Sequence, residues 1–455
     1  MVQRRGITRL IYLTLLLTAF SLATPAGTAA AEERVVPALP GELSKALAAA
    51  APGDHIILEA GRHNGPLVLD RPITIDGRGH AEIVGNGNGS VITATGPDIT
   101  IRGLRISGSG NDHAPIDSGI RIAKSATRVL VEHNEVTGNL HGITLHGGTD
   151  IIVRNNTIVG RQDRRLNDRG NGIYVWNAPG AIVEGNNIRY GRDGIFANTS
   201  KRNVFRNNLF RDLRFAVHYM YTHDSEVSGN TSIGNHLGYA LMFSNKIRVI
   251  GNLSLRDRDH GVMLNYANSS EIRGNLVRGG THEKCTFIYN AHKNTITGNR
   301  FEGCEIGIHF TAGSERNKMT DNGFIGNRHQ VKYVGTREVE WSHEGRGNFW
   351  SDHPAFDLDG DGKADSAFRP NDLMDHVLWS QPAAKLLLGS PAVQLVRWSQ
   401  HAFPAILPGG VLDSHPLMRP PGISVPRETA ELERASRPDW LEGDADAGVD
   451  ALSGH

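Results

Sequence analysis

Short apolar runs punctuated by Gly, Asn and Asp make up most of the chain. His55–Leu58, Leu67–Leu69, Ile73–Ile75, Val91–Thr93 and Ile99–Ile101 read as small strands between tight bends. From Arg128 onward the pattern repeats. Asn stands at positions 134, 156, 186, 207, 230, 252, 275, 299 and 322, in steps of 22, 30, 21, 23, 22, 23, 24 and 23. A second marker keeps pace between them: Gly119-Ile120, Gly142-Ile143, Gly172-Ile173, Gly194-Ile195, Ala216-Val217, Ala240-Leu241, Gly261-Val262 and Gly307-Ile308. A fixed period of this size means a solenoid. The leucine scaffold of a leucine-rich repeat is missing, and helical repeats need longer units. The pattern therefore predicts an all-β, right-handed parallel β-helix with about 22 residues per coil, its coils stacked at roughly 4.8 Å. The asparagines are expected to hydrogen-bond along the axis as a structural ladder. The step of 30 places an extra loop at residues 161–170.

Alternation within the strands sorts side chains by face. Val217/Tyr219, Leu241/Phe243, Val262/Leu264, Phe287/Tyr289 and Ile308/Phe310 read as inward pairs. The residues between them, His218, Met242, Met263, Ile288 and His309, then form an outward column, with Met220 two residues beyond His218. An imidazole and three thioethers on one face point to Cu(I), because thioether sulfur is a soft ligand and imidazole also suits copper. His223 and His260, in nearby bends, are added as candidate ligands. The alternative is an adaptable contact surface, a common use of Met. The two are compatible where a metal is handed across an interface. The same column holds Tyr174 and Phe196 in earlier coils, with Trp176 beside them; with Ile288 these form a candidate docking stripe. An aromatic-lined groove of this kind could instead hold sugar.

The segments outside the repeat divide into four. Residues 1–31 read as an export signal: Arg4 and Arg5, an apolar run from Leu10 to Ala23, and a small-residue cleavage site at Ala29–Ala31. The general secretory route is favoured over the twin-arginine one. Residues 32–54 contain a short amphipathic helix over Glu42–Ala50 that caps the first coil, and the β-helix itself spans 55–335. Residues 336–425 form an extension with an acidic loop and an amphipathic helix over Lys385–His401. In the loop, Asp357, Asp359, Asp361 and Asp365 stand at spacings that could wrap Ca²⁺ in a structural role, or form an Asx-rich turn without metal. The polar tail, 426–455, is expected to be disordered. The export signal implies an oxidising compartment, where Cys285 and Cys304 are bridged, free and buried, or thiolate ligands; a bridge is favoured.

Composition adds limits. Among 455 residues there are 53 glycines and only 6% aromatics, which suits a turn-rich β chain. The formal net charge is zero, so nothing favours nucleic acid as a partner. Sugar-active β-helices gather paired carboxylates, or a carboxylate with a basic residue, on one outer face. Here Asp193 and Asp224 stand isolated, so the chain is not expected to be an enzyme.

Several stretches together resemble one family. They are Gly170-Asn-Gly-Ile-Tyr-Val-Trp176, Arg192-Asp-Gly-Ile-Phe196, His218-Tyr-Met-Tyr221, Gly238-Tyr-Ala-Leu-Met-Phe-Ser244, Thr311-Ala-Gly-Ser-Glu-Arg-Asn317, Gly347-Asn-Phe-Trp-Ser-Asp352 and Ser390-Pro-Ala-Val-Gln-Leu395. The resemblance is to NosD, the periplasmic maturation factor of nitrous-oxide reductase, and it covers nearly the whole mature chain. It implies a periplasmic protein with a carbohydrate-binding-like β-helix, peripheral to the inner membrane. Its implied partners are an ABC transporter permease and ATPase, a copper-chaperone lipoprotein and the reductase whose copper-sulfide centre is assembled. The resemblance supplies no ligand list; the His/Met set comes from the repeat alignment. The helix near Lys385–His401 is the candidate permease contact.

Overall fold

The computed structural model describes residues 31–163, 165–279, 284–311, 313–335, 337–371, 390–402 and 409–435. The expected export signal and the last part of the tail lie outside them. The described chain winds as a parallel β-helix of about 13 turns. A central coil has three strands, for example Phe215–Met220, Glu226–Ser228 and Thr231–Ile233. The next repeats them as Leu237–Met242, Arg248–Ile250 and Leu253–Leu255. Each strand pairs in parallel with its equivalents one coil before and one coil after. The longer strands stack into a broad twelve-stranded sheet from Leu67–Leu69 to His329–Val334.

The asparagine ladder fixes the coil at one corner. Nδ2 of Asn186 donates to Oδ1 of Asn208 at 3.0 Å, Asn208 to Asn230 at 2.9 Å, and Asn230 to Asn252 at 3.0 Å. Each Nδ2 also reaches a main-chain carbonyl of an earlier coil, as Asn230 does to Phe205 O at 2.9 Å. A buried amide is thus satisfied on both sides, which an apolar residue could not do for the corner's main-chain groups. The rung expected at Asn207 is Asn208; Asn207 takes the left-handed conformation of the bend (φ 55°) that precedes it. Both residues are Asn, but Asn208 stands 22 residues from both Asn186 and Asn230.

The parallel ladder extends further at both ends than the expected 55–335. Glu33–Val36 already pairs with His55–Leu58, and Phe349–Trp350 pairs with Gly323–Phe324. Helix α1 (Glu42–Ala49) packs Leu43, Ala46 and Leu47 against the first coils. At the other end Trp341 and Trp350 seal the core: Trp350 stacks on Phe324 at 4.3 Å, and its Nε1–H donates to Asp413 at 2.8 Å. Asp413 also accepts from Asn348 N–H, ending the ladder with a carboxylate. Cys285 and Cys304 form a disulfide, with Cα atoms 5.7 Å apart.

Two expectations for the C-terminal part change. Helix α2 covers Pro391–Ala402, and Lys385–Gly389 lie outside the described residues. The start of the expected disordered tail is helical instead: α3 spans Arg427–Ala435. Leu432, Ile423 and Val425 pack on an outward apolar cluster of Ile233, Leu253, Leu255 and Leu276. Glu433 lies 3.2 Å from Arg278 and 3.8 Å from Arg256. The tail looked too polar to fold alone, but the β-helix supplies the apolar face it lacks.

Candidate functional site

The register of the broad sheet decides which side chains meet. Val217 pairs with Tyr239, His218 with Ala240, Tyr219 with Leu241 and Met220 with Met242. In the following coil these positions are Val262, Met263, Leu264 and Asn265, and then Thr286, Phe287, Ile288 and Tyr289. The expected column is therefore corrected. Met242 sits beside Met220, not in line with His218, and Ala240 stands between His218 and Met263. Ile288 is inward and fully buried, so it belongs to the core rather than to a docking stripe; Phe287 takes the outward place. Likewise Tyr239, not Phe243, fills the interior.

The cause is chemical. Gly238-Tyr239 occupies the place of the Gly/Ala-aliphatic marker that Ala240-Leu241 was read to fill. A phenol is tolerated inside because Tyr239 OH donates to Leu253 O at 2.9 Å and Asn230 O at 3.0 Å. Thr286, a buried polar residue, hides the marker again one turn later.

The three methionines still meet on one face, within three successive coils. Phe215, Leu237, Ala240 and Met242 form a small apolar cluster separate from the main core, and Met220 and Met263 pack against it. His218 stands at its edge. The face is more closed than the exposed stripe expected: His218 is 6% and Met242 3% exposed, because neighbouring coils cover each residue. Tyr174 and Phe196 stack at 5.3 Å, and Phe196 lies 4.7 Å from the His218 ring. Phe215 meets the same ring edge-on at 5.0 Å. Trp176 stacks on His146 instead.

Polar contacts distinguish the histidines. His218 Nδ1 is 3.1 Å from Asp193 Oδ2, and Arg214 grips that carboxylate through Nε and a terminal nitrogen at 2.7 and 2.6 Å. Burial pushes the Asp193 carboxyl up. The Arg214 charge and hydrogen bonds from His218 and Arg214 more than offset it, and the group stays well below the usual carboxylate range. Ionised Asp193 makes Nδ1 the donor. His218 Nε2 is buried and has no hydrogen-bond partner among the described residues.

His260 is built similarly but closed. Its Nδ1 lies 2.8 Å from Asp259 Oδ2, and Nε2 is 3.5 Å from Lys284 Nζ. His223 lies beyond the Tyr221 bend, where its Nδ1 accepts from Asn245 N–H at 3.1 Å. His223 is not brought to the methionine cluster; His260 pairs with Leu237 at its border, but Asp259 and Lys284 stand at its two ring nitrogens. His309 is separated from Met263 by Phe287, and burial with the Lys332 and Lys284 charges lowers its pKa to about 3.

Two features were missed. One is the Arg214–Asp193 pair, readable once Gly194-Ile195 is aligned with Ala216-Val217, which sets Asp193 opposite Phe215. The other is a row of exposed aromatics directly after the outer strand positions. Tyr221, Phe243 and Tyr266 stack at 5.2 and 5.1 Å, all in left-handed backbone (φ 50, 49 and 50°). The same bend is left-handed at Asn177, Thr199 and Asn290, so the conformation belongs to the repeat and the aromatic side chains are what distinguish these three coils.

In the acidic loop, Asp357, Asp359 and Asp361 bring carboxylate oxygens within 4.8 Å of one another. Asp365 is not part of that group; its carboxylate accepts from Leu358 N–H of the same loop at 2.8 Å, and Lys363 Nζ sits 3.1 Å from Asp361.

The coils that carry this face fall within a stretch matched to a known family. The family described as "NosD: Periplasmic copper-binding protein (NosD)" matches residues 158–355, the coils that carry it. A Pseudomonas aeruginosa protein described as "Probable ABC transporter binding protein NosD" is 42% identical over 376 residues, 80% of this chain and 88% of that relative. The chain belongs to the NosD family. The Stutzerimonas stutzeri NosD, with the same description, is 40% identical over 377 residues, 80% of this chain and 86% of its own length. Among solved structures, DFA-IIIase from Arthrobacter chlorophenolicus A6 without its lid gives a TM-score of 0.47 at 15% identity, covering 63% of this chain and 89% of that one. The NosD family is periplasmic and copper-binding by its description. No described helix is long and apolar enough to cross a membrane.

Proposed function

We propose that this NosD chain carries Cu(I) on the outer face of its broad sheet, held by His218 Nε2 and thioethers of Met220, Met242 and Met263. The observation that supports this best is the unpartnered, buried Nε2 beside a cluster whose other donor atoms are all thioether sulfur. A soft, thioether-rich set favours Cu(I) over harder ions. His260 is left out of the set because Asp259 and Lys284 stand at its two ring nitrogens, and His223 because it lies beyond the Tyr221 bend with its Nδ1 accepting from Asn245 N–H.

On this reading the chain is a scaffold and carrier and does no covalent chemistry. It works with an ABC transporter permease and ATPase, receives copper from a chaperone lipoprotein, and serves assembly of the copper-sulfide centre of nitrous-oxide reductase. The Tyr221/Phe243/Tyr266 ridge beside the methionines is the docking edge for the copper-exchanging partner. Helix α2, with Leu395 and Trp398 more than 60% exposed, is the permease contact. The aspartate loop would hold Ca²⁺ as a structural ion through Asp357, Asp359 and Asp361.

The test is anaerobic Cu(I) titration of the purified mature protein against a competing chelator. Wild type should bind Cu(I), and His218→Ala should weaken binding at least tenfold. Equal affinity and stoichiometry in the two would remove His218 from the set.

A further inference from the structure

Asp193 lies on the outward side of the sheet, yet it is 1% exposed. A carboxylate is buried this deeply only when it is paired and hydrogen-bonded. Its partners are specific. Oδ1 accepts from Arg214 Nε, and Oδ2 accepts both from Arg214 and from His218 Nδ1. Arg214 is itself fixed, its guanidinium carbon lying 4.4 Å from the centre of the Phe215 ring. Phe215 and Phe196 then wall the His218 ring on two sides. Every contact in this chain constrains the imidazole, and none uses its Nε2.

We infer that Asp193, clamped by Arg214, is a positioning residue that holds His218 in the Nδ1–H tautomer so that the Nε2 lone pair is presented to a soft metal ion. This rests on the copper reading above and deepens it. Free histidine prefers the opposite tautomer, with the proton on Nε2, which has no lone pair there to give a metal. An orienting carboxylate on the second ring nitrogen is a general device for fixing the tautomer and raising ligand basicity, and its loss typically costs about 10–100-fold in metal affinity. His260 offers an internal contrast. Its Nδ1 also faces a carboxylate, but Lys284 stands at its Nε2. The same pairing therefore serves a closed, structural contact in one coil and leaves an open ligand position two coils away.

The experiment uses the whole mature protein with histidine-selective ¹⁵N labelling. The His218 signals are assigned by their loss in His218→Ala. In the metal-free wild type, His218 should be the Nδ1–H tautomer. In Asp193→Asn and in Asp193→Ala the Nε2–H form should rise, and Cu(I) affinity by chelator competition should fall 10–100-fold. Arg214→Gln keeps the carboxylate and should cost less than either. Because the tautomer is read without metal, the two ideas fail separately. If His218→Ala leaves copper affinity unchanged, the copper reading fails, while the tautomer still decides the role of Asp193. If the wild-type ring carries its proton on Nε2, or if both Asp193 variants keep tautomer and affinity within twofold, the positioning role is overturned. An Asp193→Ala protein that does not fold leaves the decision to Asp193→Asn, which keeps the side chain's size.

Discussion

His218 and His260 differ in the contact at Nε2, and on the proposed reading that contact separates a ligand from a structural residue. Both rings face a carboxylate, but Nε2 of His260 has Lys284 Nζ at 3.5 Å, whereas Nε2 of His218 is buried without a partner among the described residues. The methionines are interchangeable with leucine as packing units: Met and Leu differ little in volume, and such swaps usually cost under about 1.5 kcal/mol. Met220→Leu with Met242→Leu should therefore leave the melting temperature nearly unchanged while Cu(I) affinity falls at least tenfold. Equal affinity would make the cluster mere packing. Phe243→Asn should keep copper binding, since Asn tolerates the left-handed backbone, and should slow copper exchange with a partner, measured by stopped-flow. At this scale the sequence was partly legible. Met and His at outward positions were visible, but the register slipped at Tyr239 and Thr286, where polar side chains stand inside. Asp193 looked isolated because its partner Arg214 is 21 residues away in sequence and one coil away in space.

The coil is the element, and its corner ladder was the most legible part of the chain. Asn repeats because each rung needs a donor and an acceptor on one short side chain, and no apolar residue supplies both. Asn230→Ala removes amide bonds to Asn252, Phe205 O and Ser228 O. It also strips the acceptor from the Asn208 amide. A buried group left unsatisfied costs about 1–3 kcal/mol. The variant should lose melting temperature clearly more than an exposed strand control such as Thr157→Ala, by calorimetry. Helix α3 was less legible. Its residues are polar in isolation, and the outward leucines that receive them are assembled only when three coils stack.

At the scale of the whole molecule, one buried carboxylate couples stability to pH. Asp257 is fully buried where asparagines stand in the equivalent bend, as Asn235 does one coil earlier. It accepts from Ser232 and Ser254 hydroxyls and from Asn235 N–H. Burial pushes its carboxyl up to about 7 despite those bonds. The folded protein therefore holds this proton when the unfolded chain, with an ordinary carboxylate, has released it. Between roughly pH 4 and pH 7 the native state binds more protons, so this group's contribution to stability falls as pH rises and is flat above. Asp257→Asn should raise the melting temperature at pH 8 and change it little at pH 4. A gain at pH 4 as large as that at pH 8 would contradict the assignment.

The solenoid architecture was legible from its period alone, whereas the closed character of the His/Met face was not. Covering of His218 and Met242 depends on which residues lie one coil away, and a one- or two-residue slip changes that completely. X-ray absorption at the copper edge of the Cu(I)-loaded mature protein tests the face most directly. A first shell of sulfur with nitrogen, the nitrogen lost in His218→Ala and the sulfur reduced in Met220→Leu/Met242→Leu, is the predicted result. A shell of oxygen and nitrogen alone, or a spectrum that none of these substitutions changes, would contradict it.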